Sequence, residues 1–108
     1  MNKPGDLELE FHRRMHRVYE QARSEYGYIA TRFLQMIADR GGVQAAKDLL
    51  RTEGYSEGLT RLWEEGRLDI SMEAAVLEDQ WCDLFNEDEL ATAARRLEEL
   101  GFSPVTKS

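Results

Sequence analysis

The chain has 108 residues, of which 42 % are hydrophobic and 32 % are charged, and its net charge is −7. This length predicts a single domain spanning residues 1–108, and the composition is too apolar for a disordered chain. The single cysteine excludes an internal disulfide, and no apolar run approaches the roughly 18 residues that a membrane span needs. Because the first residues also lack the apolar core of a signal peptide, we expect a cytoplasmic protein.

The charge is distributed unevenly along the chain. Residues 1–51 carry nine Lys/Arg and seven Asp/Glu, hence +2, whereas residues 52–108 carry five and fourteen, hence −9. A strongly acidic half repels phosphate backbones and attracts basic protein surfaces. Broad binding of nucleic acid by the whole molecule is therefore disfavoured, although the first half is not excluded from it.

Residues 6–26 are predicted to form the first helix. Apolar side chains recur there at spacings of four and three residues: Leu7, Phe11, Met15, Val18 and Ala22. Asp6 is the predicted N-cap, and Gly27 is the predicted stop because glycine readily adopts a left-handed backbone.

The next two helices are predicted over residues 29–40 and 43–51. The first of them is apolar over more than half its circumference, so we expect it to lie centrally in the core. Gly41 and Gly42, in "RGGVQAAKDLL", form the corner between the two helices. No strand precedes this glycine pair and no phosphate-loop pattern contains it, so backbone freedom at a tight turn explains it.

A short helix is predicted to follow, capped by Ser56 and ending at Gly66, with Leu59, Leu62 and Trp63 buried. Ser71 is the predicted cap of the next helix. Its apolar spacing continues to residue 84, although "EDQWCDLF" (residues 78–85) can instead form a separate short turn.

The last helix has the clearest start signal, because Asn86 and Glu89 have the spacing of a capping box. Gly101 ends the helix, Phe102 is predicted to fold back on its last turn, and residues 103–108 form a polar tail. The chain as a whole predicts an all-α bundle of five or six short-to-medium helices joined at glycine corners, with residues 27–102 as its core.

Residues 26–102 resemble a family of small uncharacterised bacterial proteins and C-terminal modules. The matching elements are "TRFLQMI", the "RGG" corner, "GRLDIS" followed by "MEA", and "LF" separated by three residues from "EL" at the start of the last helix. The resemblance implies a bacterial all-α module that travels as an accessory unit attached to other functions. It implies no catalytic residue.

His12 and His16 are the first candidates for chemistry, because their spacing places both imidazoles on one helix face, as in helical zinc sites. Glu8 and Glu20 extend the same row. However, the chain has no other histidine, and Cys82 is its only thiol. We interpret the row as a solvated face and predict no catalytic residue, no cofactor and no metal.

Arginines are the candidates for contacts with nucleic acid. Arg13, Arg14 and Arg17 lie on the first helix, and Arg61 lies on the second element of a segment that loosely resembles a helix-turn-helix. Glutamates are interleaved with them, and like charges facing phosphate cost energy at each contact. A nucleic-acid-associated regulatory protein is therefore the alternative function.

The function that we predict is a non-catalytic protein-interaction or accessory module. Its candidate recognition residues are three tyrosines at glycine corners and an acidic patch: Tyr26, Tyr28, Tyr55, Glu78, Asp79 and Asp83. The charge asymmetry predicts a partner that is basic or handles nucleic acid. A further alternative is an acidic mimic of nucleic acid that blocks a basic groove.

Overall fold

The computed structural model describes residues 4–103 and is all-α, as predicted. Within this part of the chain the α-helices are α1 (Pro4–Tyr26), α2 (Thr31–Arg40), α3 (Gly42–Arg51), α4 (Glu57–Glu64), α5 (Met72–Val76) and α6 (Glu87–Glu99). Two short 3₁₀ turns, Leu68–Ile70 and Asp79–Leu84, precede and follow α5. No strand occurs among the residues described. Of the predicted polar tail, all but Ser103 lies outside them.

The apolar stripe predicted on α1 is its buried face. Phe11, Met15, Val18 and Ala22 are buried, and Leu7 packs against them from a partly exposed position. The helix begins two residues before its predicted start, so Asp6 lies in the first turn and is not the N-cap. A carboxylate there still favours the positive end of the helix dipole.

Two groups of buried apolar side chains form the core. The larger group joins α1, α2, α3, α5 and α6, and Phe11 lies in it with its ring edge-to-face against Trp81 and Phe85, at centroid distances of 5.3 and 5.2 Å. The smaller group joins the end of α1 to α4 and α6 and includes Leu62 and Leu97. The ring contacts of Phe11 in the larger group bury a large aromatic area in a favourable geometry.

The glycine pair at the α2–α3 corner serves two different physical needs. Gly41 has φ = +83°, a left-handed conformation that side chains disfavour. Gly42 is helical, and a Cβ added to it would lie 2.6 Å from Cα of His12 on α1. The pair is thus a corner between packed helices, as predicted, and its second glycine allows the start of α3 to approach the α1 backbone.

His12 supplies the acceptor at the start of α3. Its Nδ1 accepts a hydrogen bond of 2.9 Å from the Gly42 N–H, and no side chain of the α2–α3 corner caps this helix. The ring of His16 lies one turn further along α1, with its centroid 5.0 Å from that of His12. The row that includes the two histidines is therefore more than a solvated face, because one of its rings joins α1 to α3.

His12→Ala is expected to reduce the free energy of unfolding by about 1 kcal/mol, as loss of a helix cap does. The reason is that the Gly42 N–H loses its acceptor. Urea denaturation followed by circular dichroism measures the change, and His16→Ala is the matched control. Equal effects of the two substitutions would contradict the capping role.

Two predictions about burial are wrong. Ile37 is the one buried residue of α2. The helix packs against α1 and α3 on one side, so Phe33, Leu34 and Met36 are partly exposed and Ala38 is exposed. Trp63 is 49 % exposed because Leu59 and Leu62 form the packed face of α4, and the next position points about 100° away from Leu62.

The segment after Ser71 forms two elements and not one helix. Ser71 caps α5 as predicted, with its Oγ accepting from the Ala74 N–H at 3.1 Å, but α5 ends at Val76. The alternative of a separate turn is therefore confirmed. Trp81 is nevertheless buried in that turn.

The predicted start and end of α6 are confirmed. Asn86 and Glu89 form a capping box, in which each side chain accepts a hydrogen bond from the other residue's backbone N–H. After Gly101, the Phe102 N–H donates to the Leu97 carbonyl at 2.8 Å, and its ring packs against the smaller core group.

Candidate functional site

A cleft of about 560 Å³ opens between α1, α2, the end of α3 and the start of α4, and we call it the α2/α4 cleft. Its volume falls within the range of about 300–1,000 Å³ that is usual for ligand pockets. Its apolar lining comes from five helices and the loop before α2: Val18, Ala22, Ile29, Phe33, Met36, Leu49, Leu59, Leu62 and Met72. Apolar side chains of a ligand would therefore be desolvated there.

The side of the cleft formed by α2 is apolar because this helix is only partly covered. Phe33 and Met36 are partly buried and line the cleft, and Ile29, in the segment before α2, is 60 % exposed. Ala30 occupies the N-cap position and has no side-chain hydrogen bond to the helix. The sequence pattern assigned these residues to the core, whereas the structure places them along an open cleft.

Two of the three predicted tyrosines line this cleft. The Tyr28 hydroxyl donates to Glu57 Oε1 at 3.3 Å, and the Tyr55 hydroxyl donates to Glu99 Oε1 at 2.5 Å. Burial and the neighbouring Glu57 carboxylate raise the pKa of Tyr28, and the hydrogen bond to Glu99 is the main cause that raises the pKa of Tyr55. Both phenols are therefore neutral donors at physiological pH.

On the buried side of the cleft, Glu73 forms an ion pair with Arg96 from α6. The Arg96 Nη1 to Glu73 Oε2 distance is 3.1 Å, and each side chain is only 2 % exposed. Burial raises the pKa of Glu73 because the carboxylate loses hydration, and the Arg96 guanidinium opposes this rise. The same guanidinium donates through Nη2 to the carbonyl oxygens at the end of α3: Leu49, Leu50 and Thr52.

A second buried carboxylate joins α6 to α3. Lys47 Nζ lies 2.8 Å from Oε1 of Glu89, whose side chain is 5 % exposed, and Arg51 Nη2 lies 3.7 Å from Oε2. Burial alone would raise the pKa of Glu89, but the hydrogen bonds from Lys47 and the Asn86 backbone outweigh it and lower that pKa. Glu89 is thus both part of the capping box and a link between helices.

The remaining candidate recognition residues do not line the α2/α4 cleft. The Tyr26 hydroxyl accepts from Arg67 Nη1 at 3.0 Å. Glu78 accepts from Arg14, with 2.7 Å between Nη2 and Oε2, and from the Trp81 indole at 2.8 Å. Partial burial alone would raise the pKa of Glu78, but the hydrogen bonds from Arg14 and Trp81 outweigh burial and lower that pKa. Asp79 and Asp83 are exposed in the 3₁₀ turn that follows α5.

The four candidate arginines are not equivalent. Arg14 is bound to Glu78, and Arg61 contacts Glu65 Oε2 and the Tyr26 carbonyl oxygen, each at 3.1 Å. Arg13 and Arg17 are exposed, one turn apart on α1. Two of the four guanidiniums are therefore engaged within the protein.

The histidine pair lacks the surroundings of a metal site. In residues 4–103 no group of three His, Cys, Asp or Glu side chains is arranged to hold a metal ion. Cys82 is exposed, in the same 3₁₀ turn as Asp83.

Sequence reasoning missed the ion pairs of two buried carboxylates, Glu73 with Arg96 and Glu89 with Lys47. The signal for Arg96 was present, because it lies three residues after buried Ala93 and directly before buried Leu97, on the packed face of α6. The sequence analysis does not place Arg96 in the core, because arginine is rarely fully buried. Glu73 and Lys47 gave no such signal, and no pattern within one helix identifies a partner that lies in another.

Comparison with family models, curated proteins and solved structures finds no match to this chain. The resemblance to small bacterial helical modules therefore stays a prediction. In the described part of the chain, none of the helices combines the length and the apolar content needed to cross a bilayer.

Proposed function

We propose that this protein is a non-catalytic protein-interaction module that takes up apolar side chains of a partner protein in the α2/α4 cleft. From the sequence resemblance we also propose that it acts as an accessory module of a bacterial protein or complex. The single observation that carries the proposal is the cleft itself, apolar inside and bordered by two hydrogen-bonded tyrosines.

Exposed apolar residues at the cleft support this function. Four large hydrophobic side chains of the described residues are strongly exposed: Leu9, Ile29, Tyr55 and Trp63. Ile29 and Tyr55 line the cleft, and the other two do not. Exposed apolar and aromatic side chains around a concave surface are typical of protein recognition, because their desolvation and packing supply most of the binding energy.

The polar groups in the cleft support binding over catalysis. Two of the three carboxylates that line it are ion-paired, Glu73 with Arg96 and Asp48 with Arg40. The Ser56 hydroxyl caps α4 by accepting from the Leu59 N–H. Groups held in this way stabilise the fold, and a general acid or base instead needs to be within reach of a substrate proton.

Protein binding is also favoured over nucleic-acid binding. The cleft lies on an acidic molecule, and two of the four candidate arginines are occupied by Glu78 and Glu65. Phosphate contacts require unpaired cations on one surface. Binding to duplex DNA that weakens with salt and is lost in Arg13→Ala/Arg17→Ala would instead support the alternative function.

An unbiased selection tests the proposal. A displayed library of random peptides of roughly 15 residues, about four helical turns, is selected on the purified protein. We expect the enriched peptides to lose about tenfold or more in affinity for Ile29→Ser/Tyr55→Ser, because apolar contact area is removed from the cleft.

The matched control is Leu9→Ser/Trp63→Ser, which removes exposed apolar side chains of similar exposure outside the cleft. All four positions are on the surface, so both variants should fold, and circular dichroism verifies this. An absence of binders, or binders that depend on the control positions, would refute the proposed function.

A further inference from the structure

We infer that the segment bound in the α2/α4 cleft is an amphipathic helix that carries basic residues beside its apolar face. The inference rests on the proposed function and names the class of partner for the same site. Three features support it: the walls of the cleft offer no strand edge within residues 4–103, apolar side chains line the cleft at helical spacing, and the molecule has a negative net charge.

The walls of the cleft favour a helix over an extended segment. They are formed by helices and connecting loops, and no strand with a free edge occurs in residues 4–103. An extended peptide in the apolar part of the cleft would have no strand edge for its backbone N–H and C=O groups, which costs free energy when they are buried. A helix satisfies these groups internally.

The apolar side chains along α2 have the spacing that such a helix would contact. Ile29, Phe33 and Met36 follow one another at intervals of four and three residues and all line the cleft. Phe33 and Met36 are roughly 4.5 Å apart along α2 at 1.5 Å per residue, and Ile29, in the segment before α2, extends this apolar surface. A helical partner with apolar residues at i, i+3 or i+4 and i+7 can place one apolar face on this surface.

The Glu57 carboxylate of the cleft can pair with a basic group of a partner. Four charged residues line the cleft: Asp48, Glu57, Glu73 and Arg32. Asp48 and Glu73 are ion-paired within the protein, whereas Glu57 holds the Tyr28 hydroxyl, a neutral donor, at 3.3 Å. Glu57 and Arg32 are therefore the lining charges without an ion-pair partner among the described residues, and Glu57 can bind an ammonium or guanidinium group of the partner.

The net charge of the whole molecule favours a basic partner. Its net charge is −7, and residues 52–108, which include Glu57 and Glu99, contribute −9. A field of this sign accelerates encounter with a basic segment and disfavours an acidic one, and the effect weakens as salt increases. Apolar packing then determines how long the complex lasts.

The test uses the peptides enriched by the selection on the wild-type chain. A representative binder is synthesised in three forms: as selected, with each Lys and Arg replaced by Glu, and with a central proline. Binding is measured by fluorescence anisotropy at low and high salt. We expect the charge-reversed form to bind about tenfold weaker or worse at low salt, and the difference to shrink at high salt. The proline form should also bind more weakly, because proline breaks a helix.

Glu57→Gln localises the charge preference. It removes the carboxylate charge and keeps an oxygen that can accept from Tyr28, so the difference between the basic and acidic peptides should fall severalfold. Glu64→Gln, at the other end of α4 and outside the cleft lining, is the matched control and should leave that difference unchanged.

The outcomes separate the two proposals. Peptides that require the cleft but are neutral, acidic or insensitive to proline would overturn this inference and leave the protein-binding function standing. If no peptide requires the cleft, both fall. Basic helical binders that respond equally to both glutamine variants would assign the preference to the overall charge and overturn the role of Glu57.

Discussion

Arg96→Met is expected to reduce the free energy of unfolding by about 3–5 kcal/mol, the usual cost of removing one partner of a buried ion pair. The substitution leaves the Glu73 carboxylate, 2 % exposed, without its cation. It also removes the guanidinium that donates to three backbone carbonyl oxygens at the end of α3. Methionine fills a similar volume, so the loss arises mainly from unpaired polar groups and not from a cavity.

The pH dependence of this loss identifies its cause. Burial raises the pKa of Glu73 above its ordinary value of 4.5, and removal of Arg96 takes away a group that opposes the rise. A carboxyl group with a raised pKa in the folded state binds its proton more tightly there, so its contribution to stability is greatest at low pH and is lost as pH increases. The deficit of Arg96→Met relative to wild type should therefore be smaller at about pH 5 than at about pH 7.

Two further variants complete the experiment, with urea denaturation as the measurement. Glu73→Leu/Arg96→Met removes both charges and should recover part of the stability, because an apolar pair can replace a buried ion pair. Arg95→Met changes the exposed neighbour and should have little effect. If Arg96→Met and Arg95→Met were equally stable, or if the deficit did not change with pH, the role assigned to the ion pair would be wrong.

Gly42→Ala is expected to reduce the free energy of unfolding by about 2–3 kcal/mol, since overpacking at a close contact has costs of this order. The added Cβ would lie 2.6 Å from Cα of His12, which is backbone and cannot move by a rotamer change. Glycine to alanine within a helix would otherwise stabilise by up to about 1 kcal/mol. The sign of the measured effect therefore shows whether the steric cost of the added Cβ or the gain in helix propensity is larger. We expect the steric cost to be larger.

Gly58→Ala is the matched control for this prediction. Gly58 also lies in the first turn of a helix, but a Cβ added there would meet its nearest neighbour, Cε2 of Tyr28, at 3.6 Å, an ordinary contact. The control should be neutral or stabilising. Thermal unfolding of both variants measures the difference. A stabilising Gly42→Ala would mean that α1 and α3 are not held as closely as described.

The parts of the fold that could be predicted from sequence are those set by local patterns. The Asn86/Glu89 capping box, the Ser56 and Ser71 caps and the buried stripe of α1 each depend on residues within one or two helical turns. The glycine corner at residues 41–42 belongs to the same class, since a positive φ at Gly41 is a property of the backbone itself.

The candidate site could be predicted only in part. Tyr28 and Tyr55 were selected because they stand beside glycines, and both line the cleft, whereas Tyr26 and the acidic trio lie elsewhere. Ile29 was assigned to a core helix. Helical periodicity shows that a face is apolar, but whether the face is covered depends on how neighbouring helices are placed.

The one-dimensional pattern was thus sufficient for the class of fold and for the helix starts at Ser56, Ser71 and Asn86, since these follow from periodicity and hydrogen bonding within short stretches. The charge asymmetry follows from the order of the residues alone. The chain's three-dimensional packing was needed for the cleft, for the contact of Gly42 with His12, and for the Arg96–Glu73 pair, whose members are 23 residues apart. The physical reason is that burial of a charge, closeness of two backbones and exposure of an apolar face are properties of pairs of elements, and no single element encodes them.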